Sequence, residues 1–175
     1  DIEMSFVEQD DVMGALEDVL ADAFSKMGVE MPTPLRRLDY WDAMDTYGSD
    51  KPDTRFGMEL HDVTQIFSAS KFKLFASAAA TDGQAINAKG AGAWPRAQID
   101  KLANVAAEFG AKGLAWIAFR EDGSVNSPIV KFFSDEEMEA LREEMGVELG
   151  DLVMFAVADR KSADEILGGM RLHMA

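Results

Sequence analysis

The sequence predicts an α+β fold over residues 61–170, a two-layer unit with helices on one face of a mainly antiparallel sheet. Three observations carry this expectation. Apolar runs of strand length alternate with stretches whose apolar residues recur every three or four positions. Turn sequences, Thr81-Asp82-Gly83 and Glu121-Asp122-Gly123, fall between neighbouring runs as they do in hairpins. Two Ser-x-x-Glu spacings, Ser134 to Glu137 and Ser162 to Glu165, open amphipathic stretches in the manner of capping boxes. Residues 1–60 hold a strand-like stretch, two helices and a loop, too little to close a core alone.

In chain order, Ile2, Met4 and Phe6 alternate with Glu3 and Ser5 as in a half-buried strand. Asp10 to Met27 is an amphipathic helix carrying Val12, Met13, Leu16, Val19, Leu20 and Phe24 on one side, with Gly28 to close it. Pro32 and Pro34 break the helix, and Asp39 caps a short one through Tyr47 that Gly48 stops. Ser49 to Arg55 is an irregular stretch of mixed charge that is costly to order without a partner, so interface or substrate duty stands level with a plain loop. Phe72 to Ser77 and Gln84 to Ala88 are expected to pair across Thr81-Asp82-Gly83. Lys89-Gly90-Ala91-Gly92 has neither order of glycines that cradles phosphate and is expected to be a flexible loop.

Pro95 suits the first turn of a helix that turns Ile99, Leu102, Val105, Ala106 and Phe109 inward and ends at Gly110. Leu114 to Phe119 is a strand, expected to pair with a second around Ile129 to Phe132. Ser134 starts a helix running towards Met145. Leu152 to Val157 is a further strand, and a last helix follows with Ile166, Leu167, Met170 and Leu172, although Gly168 and Gly169 each weaken it by roughly 1 kcal/mol relative to alanine.

Composition excludes more than it identifies. A formal net charge of −15 opposes broad contact with a phosphate backbone and is accounted for by solubility. The absence of cysteine removes disulfides, thiolate metal sites and thiol nucleophiles, and fits a reducing cytoplasm. No run approaches the ~18 apolar residues of a membrane span. His61 and His173 lack metal-ligand spacing, and the acidic cluster Asp135-Glu136-Glu137 is a helix start. Trp116 belongs to a packed strand, which leaves Trp94 as the tryptophan open to exposure. No catalytic residue and no metal site are therefore expected. A first residue that is not methionine, next to a strand without a partner, leads to the expectation that the chain is cut from a larger protein.

Three stretches, Asp1-Ile2-Glu3-Met4-Ser5-Phe6-Val7, Tyr47-Gly48-Ser49-Asp50-Lys51-Pro52-Asp53, and Gly110-Ala111-Lys112-Gly113-Leu114-Ala115-Trp116-Ile117 followed by Asn126-Ser127-Pro128, together resemble bacterial aspartyl-tRNA synthetases, in the same order. The resemblance implies the end of class II motif 2, the segment before an insertion, and the core of a GAD insertion domain with a DCoH-like two-layer arrangement. It implies a partial catalytic segment over residues 1–60, the insertion over 61–170, and a return towards the catalytic domain over 171–175. The family activates aspartate with ATP and Mg²⁺ and transfers it to tRNA(Asp) as a cytoplasmic homodimer.

By the same resemblance, Asp1 matches the aspartate that receives the substrate ammonium. The fragment alone is expected to be monomeric and inactive, without a cofactor of its own, its partners being the rest of the synthetase chain and no membrane. The alternative is a freestanding acidic interaction module with a GAD fold, as in the amidotransferase E subunit.

Overall fold

The structure, a computed structural model, describes residues 2–66, 70 and 82–175 and divides into two compact units, Asp1–Leu38 and Asp39–Ala175. The expected strand Phe72 to Ser77 lies outside the described residues.

In the first unit the amphipathic stretch forms α1, Gln9–Lys26. The Glu8 amide donates to the Asp11 carboxylate at 2.9 Å, and beyond Lys26 the Gly28 amide donates to the Ser25 carbonyl. Farther along, the Leu35 amide donates to Glu17 Oε1 at 3.2 Å and Arg37 pairs with Asp10, which runs the following segment back along the helix. No residue of α1 is buried. The strand expected over the first residues is a correction: residues 2–7 are not in a strand, and Ile2, Met4 and Phe6 are exposed. Alternation becomes a strand only where a neighbour supplies the hydrogen-bonding ladder, and no described residue does so here.

In the second unit, α2 (Tyr40–Tyr47) is capped by Asp39, whose carboxylate accepts the Trp41 amide at 2.8 Å. It ends at Gly48 in the left-handed region, a conformation glycine adopts without a Cβ penalty. The described strands are β1 (Leu60–Asp62), β2 (Asp82–Ala88), β3 (Ala115–Phe119), β4 (Val125–Asn126) and β5 (Leu152–Ala158). They form one sheet in the order β1-β2-β5-β3-β4, every neighbouring pair antiparallel. The helices of this part are α3 (Arg96–Glu108), α4 (Asp135–Glu144) and α5 (Arg160–Met174).

Strand alternation sorts the side chains onto two faces. Ile86, Ala88, Trp116, Ala118, Leu152 and Met154 meet α3 through Ile99, Leu102 and Ala106, and α5 through Ala163, Ile166, Leu167 and Met170. Ala85, Ile117, Phe119, Val153 and Phe155 point the other way and are covered by Leu141 and Met145 from α4 and its end, together with Val63 and Ile129. Here the expected architecture is corrected. The fold is α+β with an antiparallel sheet, but helices cover both faces, making three layers. The physical reason is that β5 and β3 are apolar at successive positions, so each of their faces needs a cover.

Two further expectations change. The partner of β3 is Val125–Asn126, paired as Ala118 with Asn126 and Phe119 with Val125. Residues 130–132 are a 3₁₀ turn instead of a strand, because Ser127 Oγ donates to the Trp116 carbonyl at 2.8 Å while accepting the Ile129 amide at 3.0 Å, which bends the chain off the ladder. The start of α5 is capped by Asp159, which accepts from the Ser162 amide and hydroxyl, so Ser162 lies inside the helix and not at its cap.

Candidate functional site

β5 extends farther than β3. Ala115, the first residue of β3, stands opposite Phe155, while β2 accompanies β5 as far as Ala158. Beside the overhang, Gly110–Ala115 turns away, and a cavity of about 660 Å³ opens between this turn, Pro128, Ile129, Phe155–Asp159, Ser162 and Ile166. The two parts of the third stretch singled out in the sequence, Gly110 to Ile117 and Asn126 to Pro128, thus come together at one place in the fold. Two of its polar side chains engage each other: Ser162 Oγ donates to Asp159 Oδ2 at 2.7 Å, and that bond holds the Asp159 carboxyl below the usual carboxylate range. The rest of the lining is aliphatic, the Phe155 ring and backbone, with the exposed Lys112 as its one cation among the described residues.

A second arrangement joins the mixed-charge loop to the last helix. Arg171, on α5, is 1% exposed. Its guanidinium lies 4.9 Å from the Tyr47 ring centre and 4.2 Å from that of Phe56, and its Nη2 donates to the Asp53 carbonyl at 2.7 Å and the Phe56 carbonyl at 2.9 Å. Burial lowers its pKa. Beside it, the Asp53 carboxylate accepts from the Arg55 side chain and amide, which lowers its pKa to about 2. Asp50 and Lys51 at the loop tip remain exposed.

A third arrangement fixes the glycine-rich turn. Asp151, also buried, accepts from the Asn87 side chain at 3.0 Å, the Glu148 amide at 2.9 Å and the Gly90 amide at 3.2 Å, and it pairs with Lys89 at 2.9 Å. Burial pushes the Asp151 carboxyl up, but these hydrogen bonds outweigh it and leave the pKa below its ordinary value. Residues 91–93 form a 3₁₀ turn in which a Cβ on Gly92 would lie 2.2 Å from the Asp151 carbonyl. Arg120 Nη1 closes the turn by donating to the Gly92 and Trp94 carbonyls. The flexible loop expected at Lys89 to Gly92 is therefore a clamped one. Trp94 is half-buried against the core on the α3 side.

Of the residues singled out by sequence, Asp1 lies outside the described residues. His61 Nδ1 stands 3.1 Å from Glu144 Oε1, and His173 is exposed in the last turn of α5, so the structure does not bring the two histidines into a common site. Arg171 and Asp151 were not foreseen, since a lone charge in an acidic sequence reads as surface. The faint signal for Arg171 was its place among Ile166, Leu167 and Met170, on the side of the helix destined for burial.

Comparison with known families decides what these arrangements belong to. Residues 75–167 match the family described as GAD domain, a range that takes in the cavity wall and the Asp151 cluster. The chain belongs to the GAD domain family. Outside that range lie the loop at Asp53 and, at the other end, Arg171. Over its whole length the chain is 47% identical to "Aspartate--tRNA(Asp/Asn) ligase" of Desulfatibacillum aliphaticivorans. It is 44% identical, again over its whole length, to "Aspartate--tRNA ligase" of Clostridium botulinum strain Kyoto. The GAD domain and its flanks together span about 30% of the length of these curated relatives.

Proposed function

We propose that this chain is the portion of an aspartate–tRNA ligase that holds its GAD insertion, and that the whole enzyme activates aspartate with ATP and passes it to tRNA(Asp). The observation that carries the reading is identity of 44–47% across the full chain to proteins named as such ligases. Residues 1–60 are then a segment of the class II catalytic domain, 61–170 the insertion, related to the DCoH-like arrangement, and 171–175 the return to the catalytic domain. The aspartate at position 1 receives the ammonium of the substrate, where a carboxylate supplies a charge-assisted hydrogen bond.

ATP and Mg²⁺ belong to other parts of the ligase. Among the described residues no group of three or more His, Asp or Glu side chains is placed to hold a cation. No described helix is long and apolar enough to cross a membrane, and the ligase reading places the protein in the cytoplasm. The portion alone is a monomer that does not form aspartyl adenylate, and the whole ligase is a homodimer.

The test is aspartate-dependent ATP–pyrophosphate exchange by the full-length protein and by this portion. Exchange by the full-length protein alone is the expected result. Exchange by neither would replace the ligase reading with that of an acidic interaction module. In the full-length ligase, Asp1→Asn raises the KM for aspartate by about tenfold or more and leaves the KM for ATP in place, as expected for a lost contact to the substrate ammonium.

A further inference from the structure

Arg171 is an unusual core residue. Among the described residues its side chain makes no ion pair at contact distance, although the Asp53 and Glu59 carboxylates favour its charge from farther off, and its Nε has no hydrogen-bond partner. A buried cation without an ion-pair partner is expensive, and a leucine would fill the same part of an apolar helix face at less expense. What the guanidinium does instead is specific. Both of its hydrogen bonds go to backbone carbonyls of one loop, Asp53 and Phe56, and its guanidinium carbon lies 4.9 Å and 4.2 Å from the centres of two rings that flank that loop, Tyr47 before it and Phe56 at its end. A planar fork that bonds two carbonyls and contacts two rings fixes direction as well as distance, which a lysine in the same place does not do.

The position of these groups in the chain adds to this. The GAD match covers residues 75–167, so the clamp ties together the segment leading into the domain and the one leading out of it, both outside the matched range. The loop it holds displays exposed Asp50 and Lys51 at its tip. Arg55, which braces the loop through Asp53, is itself largely exposed. The rigidity of the loop is thus supplied from the far end of the sequence, by α5.

We propose that Arg171 is a positioning residue for amino-acid activation: from the last helix it holds the Ser49–Phe56 loop in the conformation that the ligase reaction requires. The inference rests on the ligase reading above. It acts through the loop backbone and not by touching substrate. Misplacement by about 1 Å, even when caused far from the chemistry, lowers a rate on the order of a hundredfold, and this sets the scale of the effect.

The experiment uses the full-length ligase with three substitutions, R171M, R171K and F56L, and a fourth, L167A, as the control for lost stability. Leu167 is buried one turn earlier on α5 and belongs to the core cluster. Two quantities are read at a temperature where every variant is folded: kcat/KM for aspartate-dependent ATP–pyrophosphate exchange, and the rate of tryptic cleavage after Arg55. The expected result is a loss in exchange of about ten- to a hundredfold for R171M, a smaller loss for F56L, and partial recovery in R171K. Cleavage after Arg55 accelerates in the same order, while L167A leaves exchange unchanged and speeds cleavage only as far as its loss of stability accounts for.

If R171M alters exchange and cleavage no more than L167A does at equal loss of thermal stability, Arg171 is only a core residue and the proposal falls. F56L keeps the test open should R171M fail to fold, since it removes one ring face and leaves the cation. A full-length wild-type protein without exchange activity would overturn the ligase reading instead, and the cleavage rates would then decide the clamp by themselves.

Discussion

Helices α1 and α5 carry similar amphipathic patterns and end differently. In α1, Val12, Leu16, Val19, Leu20 and Phe24 line one side, and not one is buried. In α5, Ala163, Ile166, Leu167 and Met170 line one side, and all are buried in a cluster with Ile86, Leu152 and Met154. Periodicity therefore identifies which side of a helix is fit for burial, but a neighbouring element decides whether it is buried. The buried helix is also the one with the poorer intrinsic propensity, because it contains Gly168 and Gly169. A Cβ on Gly168 would lie 2.7 Å from the Gly48 carbonyl, and one on Gly169 would lie 2.5 Å from the Phe109 ring. The propensity lost at these two positions, roughly 1 kcal/mol each, is offset by the close approach of α2 and of the end of α3.

Substitutions on the two helices sharpen this contrast. The largest effect is expected for Leu167→Ala, which removes a fully buried side chain and lowers stability by about 2–5 kcal/mol in urea unfolding. Gly168→Ala follows, at about 1–3 kcal/mol, because the backbone of Gly48 has to shift to admit it. Gly169→Ala costs less, since the obstacle is a ring that can turn. A larger loss for Gly169→Ala than for Gly168→Ala would show that the α2–α5 contact is looser than the distances indicate.

Next come two buried carboxyls with opposite dependence on pH. The folded pKa of Asp151 is lowered, so its stabilisation is complete above the unfolded value of about 4 and is lost as pH falls through the folded value. The pKa of Asp164 is raised, burial outweighing the attraction of Arg160. Its contribution is therefore fully present below the unfolded pKa and is lost as pH rises through the folded one. Urea midpoints measured between pH 3 and pH 7 should show Asp151→Asn removing part of the acid destabilisation and Asp164→Asn enlarging it. Equal slopes for both variants would refute the assignment. The smallest effect is expected for Leu16→Ala on α1, within about 0.5 kcal/mol. A loss there as large as at Leu167 would mean that the exposed side of α1 is covered in solution.

Local signals in the sequence carried much of the fold. Ser134 Oγ accepts the Glu137 amide at 3.2 Å and Glu137 Oε2 accepts the Ser134 amide at 2.7 Å, the reciprocal pair that their spacing predicts. Ser162 and Glu165 have the same spacing, but Asp159 three residues earlier is a competing cap, and spacing alone does not rank the two. The third layer was hidden for another reason. The ten residues of α4 bury only Leu141, so its attachment to the sheet depends on Met145 beyond its end and on contacts set by chain topology. Asp151 and Arg171 were illegible because burial of a charge depends on partners distant in sequence: Asn87 and Lys89 for the first, Tyr47 and Phe56 for the second. Asp1 was reached through resemblance alone, and no geometry in the described residues bears on it.

The order of the strands also bears on synthesis. β5, the central strand, is the last one in the chain, and both β2 and β3 pair with it. A ribosome working from the N-terminus makes the two flanking strands before the one that joins them, so the sheet closes only after Ala158 has emerged. Until then the apolar edges of β2 and β3 wait for their common neighbour. The long sequence separation between β2 and β5 makes their pairing a non-local contact, whose loop-closure entropy is met before the contact forms.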